Sequence, residues 1–389
     1  MTAQQSDREA FHAGLGLSWV AASGCRAPLR LLAEHGVVGV WRAPAAQLRS
    51  WGMSAQGAAR VVERRRQCRL DALCASLRES GLRFYPYGET LYPTALGQLS
   101  LPPAGVYVSG PEARYASFVE ASRVTMVGTR RATLRGLESA DALAAAFGAA
   151  GVVVVSGMAL GIDAQCHLGC LGAGGMTAAV LGSGADTVYP RRHLTLYERI
   201  RESGVVLSEL PPGASPMPWT FPLRNRLLAA LGDALVVVEA GERSGALLTC
   251  DWALELGREV FAVPGTMGVE STAGVNRLLY DGAVPVLSPR QTVEDFLSTT
   301  RTLKRNGRAD PAGDRAESSV LLAPEERLIQ LALGASSASL EELRSGTGLS
   351  ARQIGAGLSR LELRGMIVEV ASGRFALRPE GPVPEQAVR

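Results

Sequence analysis

Val152-Val153-Val154-Val155-Ser156-Gly157-Met158-Ala159-Leu160-Gly161-Ile162-Asp163 is an apolar run that breaks into a glycine turn. A run of about four apolar residues is what a strand looks like when both faces of its sheet are covered. The pattern recurs along the chain. Val124–Val127 ends in Gly128-Thr129-Arg130-Arg131, Ala178–Leu181 in Gly182-Ser183-Gly184, and Val205–Leu207 in Ser208-Glu209. Leu235–Val238 leads to Glu239-Ala240-Gly241-Glu242-Arg243-Ser244-Gly245, and Val260–Val263 to Pro264-Gly265. Helical stretches separate several of these runs, which predicts parallel βαβ units, an α/β fold with a mostly parallel, Rossmann-like sheet. The loops after the strands then gather on one sheet edge, where ligands bind. Here they are rich in glycine, which lets a ligand approach the backbone, and in arginine, which offers planar donors to phosphate.

The net charge of +3 in 389 residues is too small to imply nucleic-acid binding by bulk charge, so any basic footprint is local. The one lysine is Lys304. A lysine-bearing P-loop and Schiff-base chemistry are therefore excluded from the sheet region. The turn after Val155 is not G-x-G-x-x-G, so no classical dinucleotide site and no cofactor are expected. Six cysteines show no C-x-x-C framework. Cys166, His167 and Cys170 share no complete ligand face, so no metal is expected. No signal-type or membrane-length apolar segment is present, which predicts a cytoplasmic chain with reduced thiols and no membrane partner.

Four segments are expected. Residues 1–83 read as an N-terminal helical module of the helix-hairpin or SAM-like kind, and 84–297 as the α/β domain, with an irregular connection through Phe84–Gly110 ending in a strand at Gly105–Val108. Residues 298–322 read as a polar linker with a basic cluster. Residues 323–380 show three helices and a hairpin, the winged-helix order. Ser339 and Glu342 form a capping box there, Ser350 caps the third helix, and that helix buries Ile354, Leu358 and Leu361 and presents Arg352, Gln353, Ser359 and Arg360.

Candidate site residues follow from the loops. Gly128, Thr129 and Arg130 suit a phosphate. Phe221-Pro222-Leu223-Arg224-Asn225-Arg226 sets two arginines around an asparagine at a helix start, with Trp219 and Phe221 available to stack on bases. The alternative is an arginine network bound to Glu209 or Glu239 inside the fold. Those two glutamates read as general acids or bases, or as counter-ions. Tyr189, Arg191, Arg192, Arg243 and Ser244 add further aromatic and donor groups. Asp163 is expected to cap the next helix and to hydrogen-bond His167 four residues on.

Taken together, Tyr92-Pro93, Val127–Arg130, Ser156–Asp163, His167, Tyr189-Pro190, Ser208-Glu209, Phe221–Arg226, Val238–Ala240, Arg243–Thr249 and Val263–Gly265 resemble the DNA-processing protein A family (DprA/Smf). The resemblance covers most of residues 85–290, and the flanking modules fit the family's three-part form. It implies an extended Rossmann fold that dimerises, binds single-stranded DNA without catalysis and loads the RecA recombinase in natural transformation and recombination. It also implies contact with single-stranded DNA-binding protein. By this likeness the DNA site comprises Gly128, Thr129, Arg130, Ser156, Gly157, Gly161 and Phe221–Arg226. Thr129 stands where serine is usual, Leu168-Gly169-Cys170 departs from the usual alanine-leucine, and an arginine such as Arg191 or Arg192 replaces the usual pocket lysine. Two other readings remain: a nucleotide phosphoribohydrolase of the LOG type, whose glycine pair and glutamate are missing here, and a duplex-DNA regulator acting through the winged helix.

Overall fold

The computed structural model describes residues 3–306, 329, 332–333, 337–347, 349–363, 367–371 and 373–377. They fall into two compact units, divided between residues 309 and 310.

The first unit opens with helices α1 (Ala3–Ala22), α2 (Leu32–Arg42), α3 (Ala45–Ser50), α4 (Ala55–Gln67) and α5 (Leu70–Glu79). The apolar faces of α1 to α4, with the turn at Ala27–Leu31, close on a core that includes Leu17, Leu29, Val40, Leu48 and Val61. The turn between α3 and α4 needs Gly52 at φ +91°, a conformation that costs other residues about 1–2 kcal/mol. Ser54 then caps α4 by accepting from the Gly57 N–H at 3.1 Å. Leu15 and Leu77 of this module pack with Phe84 and Tyr107 of the sheet, so module and sheet share a core.

The sheet holds nine strands: β1 (Arg83–Pro86), β2 (Gly105–Ser109), β3 (Arg123–Val127), β4 (Val153–Ser156), β5 (Thr177–Val180), β6 (Val205–Ser208), β7 (Ala234–Val237), β8 (Glu259–Ala262) and β9 (Val284–Pro285). Their order is β1-β2-β6-β5-β4-β3-β7-β8-β9. From β6 to β9 every neighbour is parallel, while β1–β2 and β2–β6 are antiparallel. The antiparallel edge is a correction to the expected irregular connection. Tyr85-Pro86 masks β1, because proline is admitted only at strand ends and edges.

Side chains alternate between two cores. Val153 and Val155 point to one that includes Leu227 and Leu228 of α10 (Thr220–Leu231). Val154 points to another, with Phe147 of α7 (Leu134–Ala149) and Cys166 of α8 (Ile162–Gly172). Helices on both faces explain why these strands read as unbroken valine runs. The chain builds outward from β3 through β6, returns to β7 beside β3, and builds outward the other way. The loops after β3 and β7 therefore diverge at a switch point, the place where such sheets open a ligand crevice. Helix α13 (Pro289–Asn306) follows β9 and runs into the segment expected to be linker.

In the second unit β10 (Ala338–Ser339), β12 (Arg374–Leu377) and β11 (Ile367–Ala371) form a three-stranded antiparallel sheet beside α14 (Leu340–Thr347) and α15 (Ala351–Leu363). The capping box is present: Ser339 N–H donates to the Glu342 carboxylate at 2.7 Å, and Glu342 N–H to the Ser339 hydroxyl at 3.3 Å. Ile354, Leu358 and Leu361 are buried together with Ile329 and Leu333. Most of the first expected helix, and the side chains of Arg352, Ser359 and Arg360, lie outside the described residues.

Candidate nucleic-acid interface

Three loops at the switch point are tied by backbone bonds. Thr129 N–H donates to the Glu239 carbonyl at 2.7 Å, joining the exits of β3 and β7. Ile162 N–H donates to the Thr129 carbonyl at 3.2 Å, adding the exit of β4. The approach is close enough that only glycine fits at 161. Its φ is +77°, and a Cβ there would sit 2.4 Å from the Thr129 carbonyl oxygen. The Glu239 carboxylate accepts from the N–H (3.0 Å) and hydroxyl (2.8 Å) of Thr133, the N-cap of α7. A buried carboxylate at a helix N-terminus is favoured by the helix dipole.

These loops surround an open cleft of about 670 Å³. Gly128, Thr129, Arg130 and Arg131 form one side, Pro216, Met217, Pro218 and Phe221 another, and Ser244 and Gly245 a third. Arg130 and Arg131 are exposed at the mouth. The Arg130 guanidinium lies 5.3 Å from the centre of the Phe221 ring, and Tyr189, 43% exposed, lies 5.5 Å from that ring on its other contact. The Asn225 amide donates to the Gly245 carbonyl at 3.1 Å, holding α10 to the β7 loop.

Arg224 forms the floor. It is buried and donates to the Val180 carbonyl at 2.5 Å. Its guanidinium lies across Gly157, where a Cβ would fall 1.9 Å from Nη1. Burial pulls the guanidinium down to about 10 while the nearby Asp163 carboxylate pulls it up, so it is charged at neutral pH. Burial raises the Asp163 carboxyl, and Arg224 opposes that rise. The pair thus places a compensated positive charge beneath a cleft whose exposed charges are also positive.

The model of the family DNA recombination-mediator protein A matches residues 83–297. The chain belongs to the DNA recombination-mediator protein A family. The DprA winged helix domain matches residues 312–373, which assigns the second unit. Protein Smf of Synechocystis is 32% identical over 310 residues, spanning 74% of this chain and 78% of that relative. The X-ray structure of DNA processing protein A from Streptococcus pneumoniae superposes with a TM-score of 0.64 at 29% identity, over 72% of this chain and 96% of that one. A structure of DNA processing protein A from Helicobacter pylori, concerned with its single-stranded DNA binding mode, gives 0.51 at 27% identity, over 57% and 98%.

Within this family member, Gly128, Thr129, Arg130, Phe221, Arg224, Asn225 and Ser244 line the cleft, and Gly157 lines a small recess behind Phe221. Other expected site residues do not. Arg226 is buried, donates to the Leu101 carbonyl at 2.7 Å and pairs with Glu209. It is a structural arginine because α10 turns it away from the cleft, so Arg226 belongs to the internal network, whereas Arg224 lies in the cleft lining. Ser156 is buried and spends its hydroxyl on the Met126 carbonyl at 2.7 Å. Gly161 shapes the loop junction, and Arg191, Arg192 and Arg243 are exposed outside the cleft lining. Arg131 and the Pro216–Pro218 wall were not singled out from sequence. Arg131 was legible as the second arginine of its loop, whereas the proline wall carries no chemical signature.

The expected Asp163–His167 bond is absent. Gly161 takes the N-cap position of α8, and Asp163 reaches back to the Ala159 N–H at 3.4 Å. His167 instead meets the Thr177 hydroxyl at 2.7 Å. That hydroxyl donates its own proton to the Val154 carbonyl at 2.7 Å, so His167 Nδ1–H is the donor. Burial, followed by the charges of His193 and Arg224, lowers His167 to about 3. The unfolded chain binds this proton near pH 6.5 and the folded chain does not, so stability falls as pH drops through that window. Between pH 7.5 and 5 this group alone is expected to remove about 2 kcal/mol. His167→Gln should flatten the pH dependence of the melting temperature over that range, and equal slopes in both proteins would refute the assignment.

Among the described residues no group of three His, Cys, Asp or Glu side chains is arranged to hold a metal, and no helix is long and apolar enough to cross a membrane.

Proposed function

We propose that this chain binds single-stranded DNA in the switch-point cleft and hands the strand to the RecA recombinase, with no chemical step of its own. The observation that carries the reading is the Arg130–Phe221–Tyr189 cluster over the buried Arg224. Single-strand binders combine a basic groove with aromatic faces on which any base can stack. Guanidiniums at the mouth supply the phosphate contacts, and the tied loops hold the donors in place before the strand arrives, which reduces the ordering cost of binding. The Helicobacter pylori neighbour supports the choice of single strand over duplex. Both glutamates weighed as general acids or bases are engaged elsewhere, Glu239 at the α7 N-cap and Glu209 on Arg226, which supports binding without catalysis.

Transfer to RecA in transformation and recombination, a homodimer through the sheet domain and contact with single-stranded DNA-binding protein rest on the family likeness. Two clefts in a dimer would share one strand and gain avidity without new contacts. The test is fluorescence anisotropy with labelled oligo-dT and the matching duplex across a salt series. Preference for the single strand, with a log–log salt slope that reports several phosphates, is the expected result. Equal or tighter duplex binding would move the DNA site to the winged helix and overturn this reading.

A further inference from the structure

Among the described residues Met158 is the one residue other than glycine with a positive φ, at +55°. Residues with side chains rarely adopt that conformation, and it persists only where the surroundings impose it. Two features impose it here. The Met158 side chain is fully buried in one apolar cluster with Leu181 and with Leu196, Tyr197 and Ile200 of α9 (Leu194–Ser203). The Met158 carbonyl meets His193 Nδ1 at 3.1 Å. A carbonyl can only accept, so the ring N–H at Nδ1 is the donor.

This bond joins two loops of the cleft. Met158 belongs to the turn Gly157–Gly161 after β4, and His193 follows Tyr189-Pro190 after β5. The His193 N–H donates to the Pro190 carbonyl at 2.9 Å, so the imidazole and the Tyr189-Pro190 segment share one backbone turn. The first loop supplies Gly157 and Ala159 to the recess behind Phe221, and the second supplies Tyr189 and Pro190, with Arg224 between them. Tyr189 is 43% exposed, so packing holds its ring on one side only. Its place 5.5 Å from the Phe221 ring then depends on where its loop is fixed. His193 itself lines neither the cleft nor the recess.

We propose that His193 is a positioning residue for strand binding: its Nδ1–H bond to the Met158 carbonyl locks the Tyr189 stacking face to the Gly157–Gly161 turn before a strand arrives. This rests on the cleft reading above and deepens it. A platform already in place binds more tightly than one the strand must order. In this role His193 touches neither base nor phosphate, so the number of phosphates engaged does not depend on it.

The test is oligo-dT anisotropy on the full chain. Leucine and asparagine are nearly equal in size and shape, and of the two only asparagine places an N–H donor where Nδ1 sits. His193→Leu should weaken binding about fivefold, the share of one neutral hydrogen bond, with the salt slope unchanged. His193→Asn should bind like the unsubstituted protein. Tyr189→Ala should weaken binding at least about fivefold, and adding His193→Leu to it should cost almost nothing more, because the histidine acts through that ring. Melting curves establish that each variant is folded, and His193→Ala replaces His193→Leu if the leucine variant is not. If the asparagine variant is as weak as the leucine one, if the slope falls by one phosphate's share of about 0.7, or if the two losses add, His193 is not a positioning residue and the cleft stands. The same holds if His193→Leu binds normally while Tyr189→Ala is weak. If Tyr189→Ala costs nothing, or the unsubstituted protein binds no oligo-dT, the cleft reading fails and this one with it.

Discussion

Replacing Glu209 by alanine is expected to lower the melting temperature of the first unit by roughly 10 °C while leaving single-stranded DNA affinity near that of the unsubstituted protein when measured in the cold. The Arg226 side chain is 3% exposed and that of Glu209 10%. Without the carboxylate, the guanidinium keeps only the Leu101 carbonyl, and its Nε has no partner. Removing one member of a buried ion pair costs about 3–5 kcal/mol, because the remaining charge stays desolvated and unpaired. Replacing both partners, as in Glu209→Leu with Arg226→Met, should recover much of the loss, since a packed apolar pair of similar volume is often neutral. Circular dichroism melts of the three proteins decide the matter. A shift below about 2 °C for Glu209→Ala would mean that the pair is solvated. A large loss of DNA affinity in a folded variant would put Arg226 back in the site.

The converse outcome is expected at the mouth of the cleft. Arg130→Ala should leave the melting temperature almost unchanged, because the side chain is exposed, and should weaken oligo-dT binding about 10- to 100-fold, the range of a lost charged hydrogen bond. The salt slope should fall by about 0.7, one phosphate's share on a single strand. Phe221→Ala should also weaken binding, by about 1–3 kcal/mol for a lost stacking face, with the salt slope preserved. Because the Arg130 guanidinium rests against the Phe221 ring, the two losses should not add. Unchanged affinity and slope for Arg130→Ala, at a salt where the unsubstituted protein binds, would remove the cleft from consideration.

The sheet was legible because its physics is local. Val153, Val154 and Val155 face covered surfaces on both sides, and that alone forces the apolar run. The β1–β2 edge was hidden because its pairing partner lies about twenty residues away across a proline-rich connection, and such pairing leaves little periodicity in four residues. At the site, residue type was readable but direction was not. Arg224 and Arg226 stand two apart on one helix, so their side chains diverge, and the sequence alone does not say which one meets the cleft. The His167 partner was misassigned for a related reason: helical spacing offered Asp163, whereas the bond goes to Thr177 on the neighbouring strand.

Every cation that lines the cleft is a guanidinium, and the one side-chain amine of the chain belongs to Lys304 in α13. Acetyl transfer to lysine, which cancels charge at many DNA-binding surfaces, has no target in this cleft. An amine-reactive dye directed at the lysine side chain would mark a single position outside the cleft lining. That gives a ready fluorescent reporter of strand binding whose attachment spares the arginines that grip the phosphates.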